Sequence, residues 1–315
     1  MQKRKIWENF LQWVLPCVLL VIALVLSIYD FNNKMEIAIQ TVVDDQAEQI
    51  GLYYAAGVED KLKALGNITD AVASIMAARL DRGEAFLNEK LDTLMKASDA
   101  YMVVYCATNG TGFLNDKTAY EMTELNYYDS ILGETPHYLF TRSDGINGQM
   151  AFIYVCPITN SGNVNGYLLS YMEPAEMSDL FENSVYGDRA FFSLVDRNGT
   201  IMACYGATQG TKILQNDFWN SLKGVAESLG SWTLFDRQQQ KGDNGILHVN
   251  ENGVGKILCH FPIADTAWNL VVGIDESYLS GIQQSFRGPI VDLIVKISIS
   301  IAAALIVITV INVLV

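Results

Sequence analysis

The sequence predicts an α+β fold: a long N-terminal helix and two tandem modules with antiparallel sheets, flanked by two transmembrane helices. Three observations predict it. Two uncharged apolar runs, residues 11–29 and 297–315, stand near the ends of the 315-residue chain. From residue 30 to 97 there is no proline and apolar residues recur at helical spacing. From residue 101 onward the pattern changes to short apolar runs punctuated by Asn-Gly pairs, and that figure occurs twice.

The first ten residues carry Lys3, Arg4 and Lys5, a basic tail that places the N-terminus in the cytoplasm. Residues 11–29 follow as the first transmembrane helix. No small-x-small cleavage site stands at residues 27–33, and the apolar stretch follows Cys17 rather than preceding it. The run therefore reads as an uncleaved anchor rather than a signal or lipoprotein peptide. At about 1.5 Å per residue, the nineteen uncharged residues 297–315 are long enough to cross a hydrocarbon core of roughly 30 Å. Asp292 and Lys296 precede that run at the favourable spacing for a helical ion pair. The expected topology is in–out–in, with residues 30–288 outside and residues 289–315 as the second transmembrane helix.

Composition narrows the function. With 35 acidic against 21 basic residues, a formal charge of −14 argues against nucleic acid, which needs clustered Lys and Arg to neutralise phosphates. The membrane is the partner that the apolar runs predict.

Residues 30–97 begin as a helix continuing out of the membrane. Ile39, Val43, Ile50, Val58, Leu62, Leu65, Val72 and Met76 form a seam spaced partly in sevens, suited to core packing and to pairing with a second copy as a homodimer. Gly51, Gly57 and Gly66 interrupt it; each costs about 1 kcal/mol against Ala, so packing must support the helix. A break at Asp81-Arg82-Gly83 leads to a shorter helix over 84–97, with Phe86, Leu87, Leu91, Leu94 and Met95 on its apolar side.

Residues 101–107 (YMVVYCA) read as a strand followed by Asn109-Gly110, a hairpin signal. The figure returns at residues 191–196 (FFSLVD) with Asn198-Gly199-Thr200. A second figure closes each half. Residues 150–158 predict a strand interrupted by Pro157, then a turn at 160–166, a strand at 167–172 and a helical start at 174–181. Residues 256–263 with Pro262, a turn at 264–267, a strand at 268–274 and a helical start at 276–285 repeat the order. Two sheet modules, residues 98–183 and 184–288, account for this better than one domain, with the boundary near residues 183–187.

The order of span, long helix, two sheet modules and span resembles the double Cache sensor regions of bacterial transmembrane receptors. The likeness covers residues 31–288. Cys259-His260-Phe261-Pro262-Ile263, followed by Trp268-Asn269-Leu270-Val271-Val272, is similar to that family's closing pattern. Val195-Asp196-Arg197-Asn198-Gly199-Thr200 resembles its strand-turn opening the membrane-proximal module. The resemblance implies PAS-like modules, a small-molecule pocket in the membrane-distal one, and a location in the bacterial plasma membrane. Amino-acid-sensing members carry Arg-x-Trp-Tyr and two downstream acids. Here the corresponding place reads Leu125-Asn126-Tyr127-Tyr128, Asp144 stands at the first acidic position, and Tyr171 or a neighbour replaces the second. The Arg that would clamp a carboxylate is absent, so no α-amino acid is predicted.

Ligand contacts are expected from Tyr105, Tyr127, Tyr128, Asp129, Arg142, Asp144, Tyr154 and Tyr171, since aromatic walls with polar tips and a few charges suit a small-molecule site. Outside the cell Cys106 could pair with Cys156 and Cys204 with Cys259; their apolar strand settings favour buried thiols instead. His137, His248 and His260 show no metal-ligand spacing, and no cofactor is predicted. No hydrolase, Walker or kinase motif is present. The resemblance implies the input region of a signalling receptor whose output, of cyclase, kinase or chemotaxis type, would follow Val315. A membrane-anchored binding protein or scaffold without output is the alternative, and an ectodomain hydrolase ranks third.

Overall fold

The computed structural model describes residues 2–79, 83–116, 118–182, 184, 187–206, 213–214, 217–251 and 253–314. Within that set the side chains of residues 2–18, 20–21, 188, 279–287, 302, 305–306 and 308–314 are not described. The predicted module boundary at 183–187, and Asp81 and Arg82 of the predicted break, fall largely outside the described residues.

The chain divides into two units. One comprises Met1–Gln46 and Glu276–Val315, the other Ala47–Asp275. The first unit is helical. It holds the start of α1 (Gln2–Ala77) and all of α7 (Glu276–Leu314), which contain the two apolar runs. Many side chains of those runs lie outside the described residues; among the described residues no helix is long and apolar enough to cross a membrane. Asp292 and Lys296 are paired as their spacing predicts.

In the second unit the remainder of α1 buries one seam: Ala47, Tyr54, Ala55, Val58, Leu62, Leu65, Thr69, Val72, Ala73 and Met76. Five of the predicted seam residues, from Val58 to Met76, are in it, while Ile39 and Ile50 are only half-buried. Two of the three interrupting glycines are explained by close approach. A Cβ on Gly51 would lie 2.0 Å from the Phe261 ring, and one on Gly66 would lie 2.9 Å from the Tyr138 hydroxyl and 3.2 Å from the Tyr154 ring. The helix gives up propensity there to bring its backbone against the sheets. Helix α2 (Glu84–Ala97) buries Leu91 and Leu94.

Two antiparallel sheets follow. The first contains β1 (Met102–Ala107), β2 (Thr111–Leu114), β3 (Ala119–Glu121), β4 (His137–Thr141), β5 (Ala151–Asn160) and β6 (Asn163–Met172), in the order β3-β2-β1-β6-β5-β4. The second contains β7 (Ala190–Asp196), β8 (Ile201–Gly206), β9 (Gly245–Glu251), β10 (Val254–Pro262) and β11 (Trp268–Asp275), in the order β8-β7-β11-β10-β9. Without its extra edge strand β3, the first sheet has the order of the second, which is the repeat legible in the sequence. Short helices α3 (Tyr128–Ile131) and α4 (Asp179–Glu182) accompany the first half; α5 (Phe218–Lys223) and α6 (Leu229–Lys241) cover the second sheet.

The Asn-Gly turns fall where predicted, with Gly110 at φ 91° and Gly199 at φ 87°, conformations that glycine adopts without steric cost. The expected loop at 160–166 is tighter than predicted: β5 and β6 are joined by Ser161-Gly162 alone. Pro157 lies inside β5 because β4 ends its pairing at Val155, so the missing N–H faces no partner strand on that side.

Aromatic contacts join the two sheets within this unit. Trp268 of β11 packs on Phe152 of β5 at 5.2 Å and on Tyr138 of β4 at 6.2 Å between centroids. Tyr54 of α1 packs on Phe192 at 4.6 Å and on Phe181 at 5.7 Å.

Candidate functional site

Strand register decides which candidate side chains meet. Val104 pairs with Leu169, Met102 and Ile153 with Tyr171, and Cys106 with Tyr167; cross-strand partners share a face. These residues join Leu114, Met122, Leu125, Tyr127, Ile131, Ala151 and Val155 in one buried cluster on the face away from α1. The opposite face carries Tyr105, which pairs with Leu168, and Tyr154, which pairs with Ser170.

Asp144 lies at the end of the first face marked by Tyr101 and Tyr171 and is fully buried. It sits in the connection from β4 to β5, within Asp144-Gly145-Ile146-Asn147-Gly148, where Gly145 (φ 74°) and Gly148 (φ 77°) take the left-handed conformation. The chain thereby wraps round the carboxylate. Oδ1 accepts from the backbone N–H groups of Ile146 (2.9 Å), Asn147 (2.7 Å) and Gly148 (2.8 Å). Oδ2 accepts from the Tyr101 hydroxyl at 2.8 Å. Tyr127 donates to the Asp144 carbonyl at 2.7 Å, and its oxygen stands 3.2 Å from the Tyr171 hydroxyl. Tyr120 donates to the Gly145 carbonyl at 3.1 Å. Tyr128 packs against the same cluster.

Electrostatics keep this ring neutral. Burial, together with Asp144, pushes the Tyr101 phenol well above the usual range, and burial does the same to Tyr127 and Tyr171. The site is thus a carboxylate within neutral phenols and apolar walls. No nucleophile–base pair occurs among these contacts.

The structure brings together three of the eight expected residues, Tyr127, Asp144 and Tyr171, while Tyr128 packs on the same apolar cluster toward Cys106 and Tyr167. The other four lie elsewhere. Asp129, in the first turn of α3, and Arg142, just after β4, are exposed. Tyr154 faces α1 and donates to Asp70 Oδ1 at 2.9 Å. Tyr105 is on that same face and donates to the Asn165 carbonyl at 3.1 Å. It lines a cleft of about 360 Å³ with Met76, Glu84, Phe86, Leu87 and Phe113. Tyr101 and Tyr120 are the participants that sequence reasoning missed. The paired glycines after Asp144 were the signal that could have marked this loop.

Leu125, in the place where the resemblance sets an Arg, is buried in the cluster. A Cβ on Gly145 would lie 2.4 Å from its Cδ2, so the Asp144 loop is fitted closely to it. An aliphatic side chain there offers no cation to a ligand carboxylate. None of the four cysteines outside the apolar runs is in a disulfide; Cys106, Cys156 and Cys259 are buried and Cys204 is exposed. Among the described residues no group of three or more His, Cys, Asp or Glu is placed to hold a metal ion.

No family profile and no curated protein matches the chain. Solved structures do. The ligand-binding domain of the Pseudomonas fluorescens chemoreceptor CtaA, in complex with L-isoleucine, is similar at 14% identity and a TM-score of 0.60, over 78% of this chain and 97% of that one. The extracellular domain of rpHK1S-Z16, a protein named as a histidine kinase, is similar at 15% identity and a TM-score of 0.58, over 77% of this chain and 98% of that one. The sensory domain of the Campylobacter jejuni chemoreceptor Tlp3, with isoleucine bound, is similar at 16% identity and a TM-score of 0.55, over 76% of this chain and 95% of that one. At these identities the likeness is one of fold.

Proposed function

We propose that this chain is the sensing region of a bacterial transmembrane receptor of double Cache type, and that the Asp144 cluster is its small-molecule site. The observation that carries this reading is a fully buried carboxylate within four tyrosines on the first sheet, in a fold shared with ligand-binding domains of chemoreceptors. Fold alone does not specify function; the buried polar cluster supplies the chemistry. A carboxylate with aromatic walls favours a small ligand that carries a hydrogen-bond donor or a positive charge and an apolar part. Leu125 argues against an α-amino acid held by its carboxylate.

In this reading residues 11–29 and 297–315 are the spans, residues 98–183 and 184–288 are the membrane-distal and membrane-proximal modules, and the outer part of α1 pairs with a second copy. Ligand binding favours one arrangement of the modules, and the helices entering and leaving the membrane shift by about 1–2 Å. Only a ligand that binds the two arrangements unequally can do this.

The test is a fusion of residues 1–315 to the signalling half of a characterised chemoreceptor, followed in cells for a response to small polar metabolites. A response that disappears with Asp144→Asn, while membrane insertion persists, supports the reading. A response that survives Asp144→Asn unchanged overturns the site, and failure of the chain to insert in the membrane overturns the receptor.

A further inference from the structure

His260 is the buried member of the three histidines, and the ligand site does not use it. It projects from β10 on the face that carries Leu258, toward α5 and α6. Phe235 of α6 meets its ring edge-on at 4.5 Å between centroids, and Trp219 of α5 does so at 6.0 Å. Gly245 of β9 pairs with it directly, and a Cβ there would lie 2.3 Å from Nε2. The imidazole is therefore enclosed on three sides by two aromatic rings and a glycine backbone.

Neither ring nitrogen has a hydrogen-bond partner. The Phe235 carbonyl and the Asn269 side chain favour the charged ring without reaching hydrogen-bond geometry, and burial outweighs them, lowering the pKa to about 4. Two more buried polar atoms are unpartnered: Oδ1 of Asn269 on β11, and Nε2 of Gln239, one turn beyond Phe235 on α6. Unpartnered polar groups are uncommon in protein interiors and call for an explanation. Of the elements packed on His260, α5 presents Trp219, α6 presents Phe235, β9 presents Gly245 and β11 presents Asn269. The charged groups on this face of the sheet include Lys256, on the same strand, its cross-strand partner Asp275 on β11, and Glu251; Lys256 and Glu251 pair at 2.8 Å. The groups that favour a proton on the ring, the Phe235 carbonyl and the Asn269 side chain, are neutral and out of hydrogen-bond reach.

We propose that His260 makes the second-sheet half of the molecule acid-responsive: protonation of its ring loosens α5 and α6 from the β10–β11 hairpin. This input is separate from any ligand at Asp144. It acts on β11, whose last residue, Asp275, is followed directly by the first residue of α7.

The sign follows from linkage. A histidine held at about 4 when folded and near 6.5 when unfolded contributes stability that is fully present above pH 6.5 and is lost as the pH falls toward 4. The opening equilibrium constant then rises by nearly tenfold per pH unit in the middle of that window, about 80-fold across it.

The test uses the whole 315-residue chain in detergent micelles with isotopically labelled histidine. One of the three imidazole resonances, absent from His260→Phe, should remain neutral at pH 5 while the chain is folded. Between pH 6.5 and 4.5 the wild type should lose about 40-fold in its folding equilibrium relative to His260→Phe. A resonance that titrates near pH 6.5 with native structure intact overturns the proposal, as does an equal pH slope in both proteins. If His260→Phe does not fold, His137→Gln and His248→Gln identify the remaining resonance by elimination, and its titration alone decides.

Discussion

Replacing Asp144 with Ala removes four hydrogen-bond acceptances at once, three from backbone N–H groups and one from Tyr101. A hydrogen bond to a charged group contributes about 1.5–3 kcal/mol. Asn147 and Gly148 are exposed, so water can replace the carboxylate at their N–H groups. The Ile146 N–H and the Tyr101 hydroxyl are less accessible, and the variant should lose about 3–6 kcal/mol. Asp144→Asn keeps an oxygen for the three N–H groups and reverses the bond to Tyr101, whose hydroxyl can accept; it should lose about 1–2 kcal/mol. Asp129→Ala, an exposed site, should stay within about 0.5 kcal/mol. Urea unfolding followed by tryptophan fluorescence measures all three, with the slope m checked for constancy. A loss below 1 kcal/mol for Asp144→Ala, or an Asn variant as damaging as the Ala variant, would refute the view that this carboxylate organises the loop.

The helix glycines give a contrast of sign. Gly51→Ala forces a methyl into the buried Phe261 ring and should destabilise by about 1–3 kcal/mol, whereas Gly57→Ala, whose nearest neighbour is a Leu180 methyl at 3.5 Å, should stabilise by about 0.5–1 kcal/mol; thermal melts distinguish them. Trp268→Ala empties the contact with Phe152 and Tyr138 and should lose about 3–5 kcal/mol, measured by the same unfolding assay. Burial pushes the Cys106 thiol up to about 11 and the Cys156 thiol up to about 12, so at pH 8 both should resist a thiol reagent until urea unfolds the chain; rapid native labelling of either would contradict their burial.

Much of the architecture was legible because it depends on local chemistry. The Asn-Gly turns, the prolines of the closing hairpins and the α1 seam are sequence-local signals, and the elements they mark followed from them, whereas β3, β4 and β9 were not predicted. The site was legible only in part because it depends on register. Tyr105 and Tyr171 look alike in sequence, yet the pairing of β1 with β6 sets Tyr105 on the α1 face and Tyr171 on the other. Tyr154 shares its chemistry with Tyr171 and is turned away by the same alternation. Tyr101 reaches Asp144 from just outside β1, where the two-residue period no longer holds. Gly51 and Gly66 of α1 had no local rationale at all; the Phe261 and Tyr138 side chains that explain them are far along the chain.

The most direct test of the account is calorimetric titration of the best small-molecule ligand from a thermal-shift screen into the wild-type chain and into Tyr127→Phe and Asp144→Asn. A true ligand at 100 times its Kd should raise stability by about 2.7 kcal/mol in the screen. Both variants should then bind it at least about tenfold more weakly, the equivalent of 1.4 kcal/mol. Equal affinity in all three proteins would place the ligand elsewhere and contradict the assignment of the Asp144 cluster as the sensing site.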